Sequence, residues 1–461
     1  MTLKIKKYIF AQLLLICIFF FQLFFFAIDS EISKLEVDIV QIELFVYYIA
    51  ILIYSYIRFG AFSLYSLFLY TMAIFIYGRI FLDIFDLFDW NWANKWQDFY
   101  FPLSTQYEIL NLLLLSLLFI HLGVLIGKSK KTTTEKTLEH NEKLEKVSLF
   151  FFYCAIPGTF VKYMIELKLI LSYGYLAVFD GTLSDISYPI WTAGSGTILI
   201  SSYATFLASK PSKKKFLIIT TVFFFLCFFN MMKGSRSKLF VPLMFILWYY
   251  FEFYSKKNIP FYRLIIVGVL CVTGSQLMLM SRDIGLQIES STMWTLFFIQ
   301  QGVSILVLGY MVYFKTAFVN HGLPYIFAPL LFWESGYGQT AETINLTHRL
   351  AYKLTYFISP DAFFDGEGLG SSYLGEFYDL GYMAFPVLSC LLGYIIYRLP
   401  VYSKRNRLIL ALSFVMVQTI IYMPRNTFLP LIEEVLPVVF FYYVVVYLAN
   451  RNIKIVYGRK I

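Results

Sequence analysis

Apolar runs long enough to cross a bilayer recur along the whole chain, and no other feature limits its fold as strongly. Tyr8 to Ile28, Ile39 to Ile57, Ala61 to Leu82 and Glu108 to Gly127 are the first four, each near the roughly 20 helical residues that a bilayer core requires. Backbone groups inside such a core must bond within their own helix, so the expected fold is all-α, a polytopic membrane bundle. Composition agrees, since 59% of the 461 residues are apolar and 15% charged, more hydrophobic surface than a soluble fold of this size can hide. A single integral membrane domain spanning 1–461 is expected. All five cysteines fall in apolar runs with no CxxC pair, and only four histidines occur, so neither a disulfide framework nor a metal site is predicted. The first run is followed by Asp29 and Glu31 and reads as a retained helix, not a signal peptide.

Charge sets the orientation. Lys4, Lys6 and Lys7 precede the first run, and basic flanks tend to stay cytoplasmic, which places the amino terminus inside. Alternation through further runs near 147–165, 189–208, 216–232, 239–253, 264–280, 381–397, 408–423 and 428–449 gives about twelve transmembrane helices with both termini inside. Lys128 to Lys146, with six lysines and four glutamates, is expected as a charged cytoplasmic loop. Residues 281–380 form a long outward loop between helices 9 and 10. Within it Trp294 to Phe314 is apolar enough to span, but its neighbour Leu323 to Trp333 is too short to bring the chain back. Both are therefore expected at the outer surface or re-entrant. On this layout most of the 38 Lys and Arg fall inside and most of the 29 Asp and Glu outside. The net charge of +9 then reflects orientation, with no nucleic-acid partner.

The acidic outward side nonetheless carries Arg79, Arg236, Arg282 and Arg425 at the ends of spans and Arg349 in the long loop. A guanidinium offers a planar fork of donors and keeps its charge, which suits a phosphate or diphosphate. A single arginine at such a place commonly snorkels to a headgroup; the grouping is what points to an anion site. Arg236 is the strongest candidate, because Lys233, Gly234, Ser235 and Ser237 beside it give close backbone approach and further donors. Arg79 is the weakest. For proton transfer the candidates are His348, beside Arg349, and Glu376, then Asp283 and His321. An imidazole titrates near neutral pH, whereas a carboxylate needs a raised pKa or only orients a hydroxyl. No metal or cofactor is called for, since arginines can hold a diphosphate alone. Aromatic side chains in the long loop, including Trp294, Tyr325 and Tyr352, fit packing or the membrane surface.

Two stretches carry a resemblance. KGSRSKLFVPLMF from Lys233 follows an apolar helix, and Gly370-Ser371-Ser372-Tyr373-Leu374-Gly375-Glu376-Phe377-Tyr378-Asp379-Leu380-Gly381 closes the long loop. The first resembles the signature of the bacterial O-antigen polymerases, the Wzy group of oligosaccharide repeat-unit polymerases. The second is similar to their G-S-x-x-x-G-E-x-Y-x-x-x-G segment. The resemblance implies a membrane-embedded C-type glycosyltransferase in the bacterial inner membrane, with its active site facing the periplasm. Donor and acceptor would both be oligosaccharides linked to undecaprenyl diphosphate, in contact with membrane lipids and in the company of a chain-length regulator and a flippase. The assignments that follow are Arg236, Arg282, Arg425, Arg349, Lys233 and Ser235 for the diphosphate and His348, Glu376 and Asp283 for catalysis. Two rivals stand: an O-antigen ligase, served by the same arginines, and a flippase or transporter of the lipid-linked unit. The near absence of charge within the spans disfavours the transporter.

Overall fold

A computed structural model describes residues 3–26, 32–92, 99–130, 138–173, 187–255, 259–260, 262–263, 266, 268–269, 272–274, 293–319, 322–331 and 338–451. Among these the secondary structure is helical, apart from one isolated antiparallel bridge between Trp92 and Tyr100. The principal helices are α1 (Leu3–Phe26), α2 (Lys34–Phe59), α3 (Leu64–Ile84), α4 (Leu103–Ser129), α5 (Glu142–Tyr173), α6 (Ser195–Ala208), α7 (Lys213–Met232), α8 (Ser237–Phe253), α9 (Trp294–Tyr313), α10 (Tyr373–Asp379), α11 (Ala384–Ser403), α12 (Arg407–Tyr422) and α13 (Ile432–Asn450). Ten are long and apolar enough to cross a membrane, all but α6, α8 and α10. Their ends follow local chemistry. Ser33 and Glu36 form a reciprocal capping box at the start of α2, and Gly60, at φ +94°, ends it.

Several expected segments take another form. The ninth expected span, 264–280, lies largely outside the described residues. The sixth becomes a 3-10 turn, Ile190–Thr192, followed by the 14-residue α6, whereas the eighth, expected at 239–253, is present as the 17-residue α8. The apolar stretch expected at the outer surface or re-entrant forms α9, packed against other helices. Ile305 to Val312 are all buried, because glycines admit close packing. A Cβ on Gly309 would sit 2.5 Å from the Phe101 ring, and one on Gly302 would sit 2.8 Å from Arg79 Cγ. The charged loop at 128–146 is also narrower than expected. α4 runs for 27 residues, about 40 Å, and so carries Lys128 within the helix, while α5 already begins at Glu142. The end of that loop is docked: Leu138 N–H donates to Lys404 O at 3.0 Å, and Asn141 N–H to Ser209 O at 2.9 Å.

The chain divides into two compact units. The first comprises Met1–Thr133, Leu247–Arg398 and Thr419–Leu429. Its centre is α4, against which α1, α2 and the second half of α9 pack; nearly all of it is buried, so it reads as hydrophobic all round. α3 contains a π-helical turn, Ala73–Tyr77, and α9 a 3-10 turn, Gly302–Ser304, and the two irregular turns pack together. Such breaks release backbone groups. Arg79 Nε donates to Ile299 O at 2.9 Å, and Arg425 Nη1 to Gln301 O at 3.2 Å.

The second unit comprises Thr134–Ile246, Leu399–Gln418 and Pro430–Ile461. Here α5 and α6 form the main pair, joined by α13 and α7. Tyr203 stacks on Phe223 with centroids 4.1 Å apart, and Phe414 meets both edge-on. On the expected inner side a buried carboxylate, Glu145, pairs with Lys215.

Candidate active site

The site in the first unit is organised by α10, the seven-residue helix within the GSSYLGEFYDLG stretch. Ser372 caps it, its side chain accepting from Leu374 N–H. At its start the Tyr373 hydroxyl lies 3.4 Å from Ser116 Oγ on α4. Near its end the Tyr378 hydroxyl donates to Glu108 at 2.8 Å, and Tyr382 bonds the same carboxylate. A side chain at Gly375 would meet Leu350 and Val307 at 3.0 and 3.1 Å. Glycine there lets α9 and the helix Leu350–Ile358 close on α10.

Glu376 is buried, 1% exposed. Its Oε2 accepts the Phe428 N–H at 2.8 Å and its Oε1 the Ser371 hydroxyl at 3.4 Å. Phe428 lies three residues past Arg425, so Glu376 fixes the stretch leading away from that arginine. Burial raises the Glu376 carboxyl from 4.5 to about 8, and the two hydrogen bonds only partly oppose it. At neutral pH the group is therefore mostly protonated, which suits an organising group better than a base.

The folded-state pKa lies above the unfolded one, so the stability contribution is complete below about 4.5 and is lost as pH rises through about 8. At 1.36 kcal/mol per pKa unit the loss is at most about 5 kcal/mol. The melting temperature of the solubilised protein is thus expected to fall between pH 5 and 8.5, and Glu376→Gln to flatten that slope. Equal slopes in the two proteins would contradict the assignment.

Arg425 is partly exposed. Its Nη1 donates to Gln301 O and to Gln301 Oε1 at 3.4 Å, and the guanidinium lies 5.7 Å from the Phe75 centroid. Its backbone carbonyl lies 3.6 Å from where a Cβ on Gly370 would be. Arg79 is 5% exposed and bonds the carbonyls of Ile299 and Trp92 over the Phe88 ring. It braces the break in α9.

His348 and Arg349 belong to a short extended link between the helices Ala341–Leu346 and Leu350–Ile358. His348 Nε2 bonds the Leu323 carbonyl, and its ring stacks on Tyr325 at 5.0 Å and 21°. Tyr325 N–H in turn donates to Asp379 Oδ2, at the end of α10, at 2.9 Å. Arg349 N–H donates to Thr347 Oγ1. Neighbours in extended backbone point to opposite faces, so His348 and Arg349 do not form one clamp.

In the second unit the Lys233–Ser237 turn joins α7 to α8. Gly234 takes φ +107° and bonds Met231 O, while Ser235 and Ser237 share a hydroxyl hydrogen bond of 3.0 Å. The Arg236 carbonyl accepts from Phe240 N–H, opening α8. Lys233 forms an ion pair with Glu166 and lies over the Tyr163 ring at 4.4 Å. Burial lowers the pKa of its ammonium, and Glu166 opposes that shift. Tyr188 also donates to Glu166, at 3.1 Å. Arg282, Asp283 and His321 lie outside the described residues.

The structure thus brings Glu376 and the Arg425 stretch together and ties His348 to the same helix, while Arg236, Ser235 and Lys233 gather in the other unit. Asp379, Glu108, Glu166 and Gln301 were not foreseen. Glu166 had a signal, an acid near the end of an apolar run; Asp379 had one too, three residues after Glu376 on a short helix.

A family model described as O-antigen polysaccharide polymerase Wzy matches residues 8–455. No curated protein and no solved structure matches.

Proposed function

Because the chain belongs to the O-antigen polysaccharide polymerase Wzy family, we propose that it is a glycosyltransferase that extends a glycan on a lipid diphosphate carrier at the periplasmic face of the inner membrane. The donor is the growing chain on undecaprenyl diphosphate and the acceptor a carrier-linked repeat unit. The acceptor hydroxyl oxygen forms a bond to the donor's anomeric carbon, and the bond from that carbon to the diphosphate oxygen breaks with its electron pair. His348 Nδ1 takes the hydroxyl proton. Arg425 holds the departing diphosphate, with Arg282 as a further donor, and no metal takes part. Lys233, matched by Glu166, braces its turn, and Glu376 holds the Arg425 stretch.

The observation that carries this reading is the role of α10, which supports both chemically marked stretches. Glu376 binds just past Arg425, and Asp379 holds the turn on which His348 rests. Arg425 keeps donors in hand, since among the described residues only its Nη1 has partners.

Deletion of the gene is expected to leave single lipid-linked repeats and no long chains. Arg425→Ala in trans is expected to restore less than about 1% of wild-type chains, because a charge-stabilising donor contributes roughly 10²–10³ in rate. Long chains stranded on the carrier would instead identify a ligase.

A further inference from the structure

Asp379 stands at the end of α10, 4% exposed, and nothing in the proposed chemistry uses it directly. Its Oδ2 accepts the backbone N–H of Tyr325 at 2.9 Å. That N–H belongs to the first residue of the 3-10 turn Tyr325–Leu330, which follows Pro324. A helical turn leaves its first N–H groups without internal partners, so an outside acceptor is what fixes the turn in place.

The residues around that N–H hold His348 in two ways. The Tyr325 ring lies nearly parallel to the imidazole, 5.0 Å away, and sets its plane. The Leu323 carbonyl bonds Nε2. A carbonyl only accepts, so in the neutral ring the proton resides on Nε2 and the lone pair on Nδ1. Among the described residues Nδ1 has no partner.

We propose that Asp379 is a positioning residue: by pinning the Leu323–Tyr325 turn it holds His348 in the Nε2–H tautomer with Nδ1 presented. The inference rests on the reading of His348 as the base. The carboxylate acts through a backbone N–H and an aromatic face, one step removed from the imidazole, so its acceptor oxygen matters more than its charge.

The test uses full-length protein in nanodiscs, labelled with 15N-histidine and assayed with the carrier-linked repeat unit. Asp379→Ala is expected to lower kcat by about 10- to 100-fold, with KM within about threefold, because the base is misaligned and not lost. The His348 ring signals, identified by their absence in His348→Gln, are expected to change from one Nε2–H tautomer to an exchanging mixture. Asp379→Asn keeps an acceptor oxygen and is expected to recover about tenfold of the lost rate. Tyr325→Leu, which leaves α10 untouched, is expected to reproduce the tautomer change if Asp379→Ala does not fold. Unchanged kcat and unchanged ring signals in Asp379→Ala, or in Tyr325→Leu where that variant replaces it, would overturn the proposal. So would Asp379→Asn as impaired as Asp379→Ala. Activity surviving in His348→Gln would instead overturn the base assignment, whatever the Asp379 variants show.

Discussion

Replacing Gly393 with alanine is expected to abolish the folded protein. A Cβ at that position would sit 1.9 Å from the carbonyl oxygen of Ile120 and 2.7 Å from its carbon. Reciprocally, a Cβ on Gly123 would sit 2.0 Å from Cys390 O, and one on Gly127 3.1 Å from the Tyr397 ring. α4 and α11 therefore cross with backbone against backbone, and no side chain is available to move aside. Relief requires separating α11 from the helix at the centre of the first unit, which removes contacts along its length. Ordinary overpacking costs about 1–3 kcal/mol; here the clash is with backbone, and the cost approaches the roughly 5–15 kcal/mol that holds a domain together. Gly393→Ala and Gly123→Ala should both lose the monodisperse peak in size-exclusion chromatography of a fluorescent fusion. Gly196→Ala, where a Cβ meets nothing within 4 Å, should stay within about 1 kcal/mol of wild type. Normal peaks for Gly393→Ala and Gly123→Ala would contradict the crossing.

The second large effect concerns catalysis. His348→Ala is expected to lower the rate of repeat-unit consumption by about 10²–10⁴, the usual contribution of a positioned base, while leaving expression and melting temperature close to wild type. The ring is partly exposed and rests on Tyr325 and a carbonyl, so its loss opens no buried cavity. A decrease below tenfold would assign the proton transfer elsewhere.

The all-α membrane fold was legible because a bilayer leaves so few alternatives. Runs of about twenty apolar residues admit a helix and little else, and the Lys128 and Glu142 charges marked where two helices meet water. The packing of α9 was not legible. Its apolar length was visible, but whether a helix packs inside or lies outside depends on partners distant in sequence, here the Phe101 ring against Gly309 and Arg79 against Gly302. The close crossing did leave a trace, the Gly123-x-x-x-Gly127 spacing within an apolar helix, a pattern that favours backbone contact between membrane helices. Among site residues, Glu376 stood out by its motif, but its raised pKa comes from burial among the helices around α10, which the Phe428 N–H, 52 residues away, only partly opposes. Lys233, expected as a diphosphate ligand, also has an acidic partner that its neighbours in sequence do not reveal, Glu166, 67 residues away. Asp379 was hidden for the same reason, since it acts on a backbone N–H 54 residues earlier.

The most direct measurement is reconstitution of the purified protein in liposomes, with a carrier-linked repeat unit as sole substrate and EDTA present. The account predicts a ladder of lengthening lipid-linked glycans that is lost in Arg425→Ala. Repeat units that cross the bilayer unextended, or a ladder unaffected by Arg425→Ala, would contradict it.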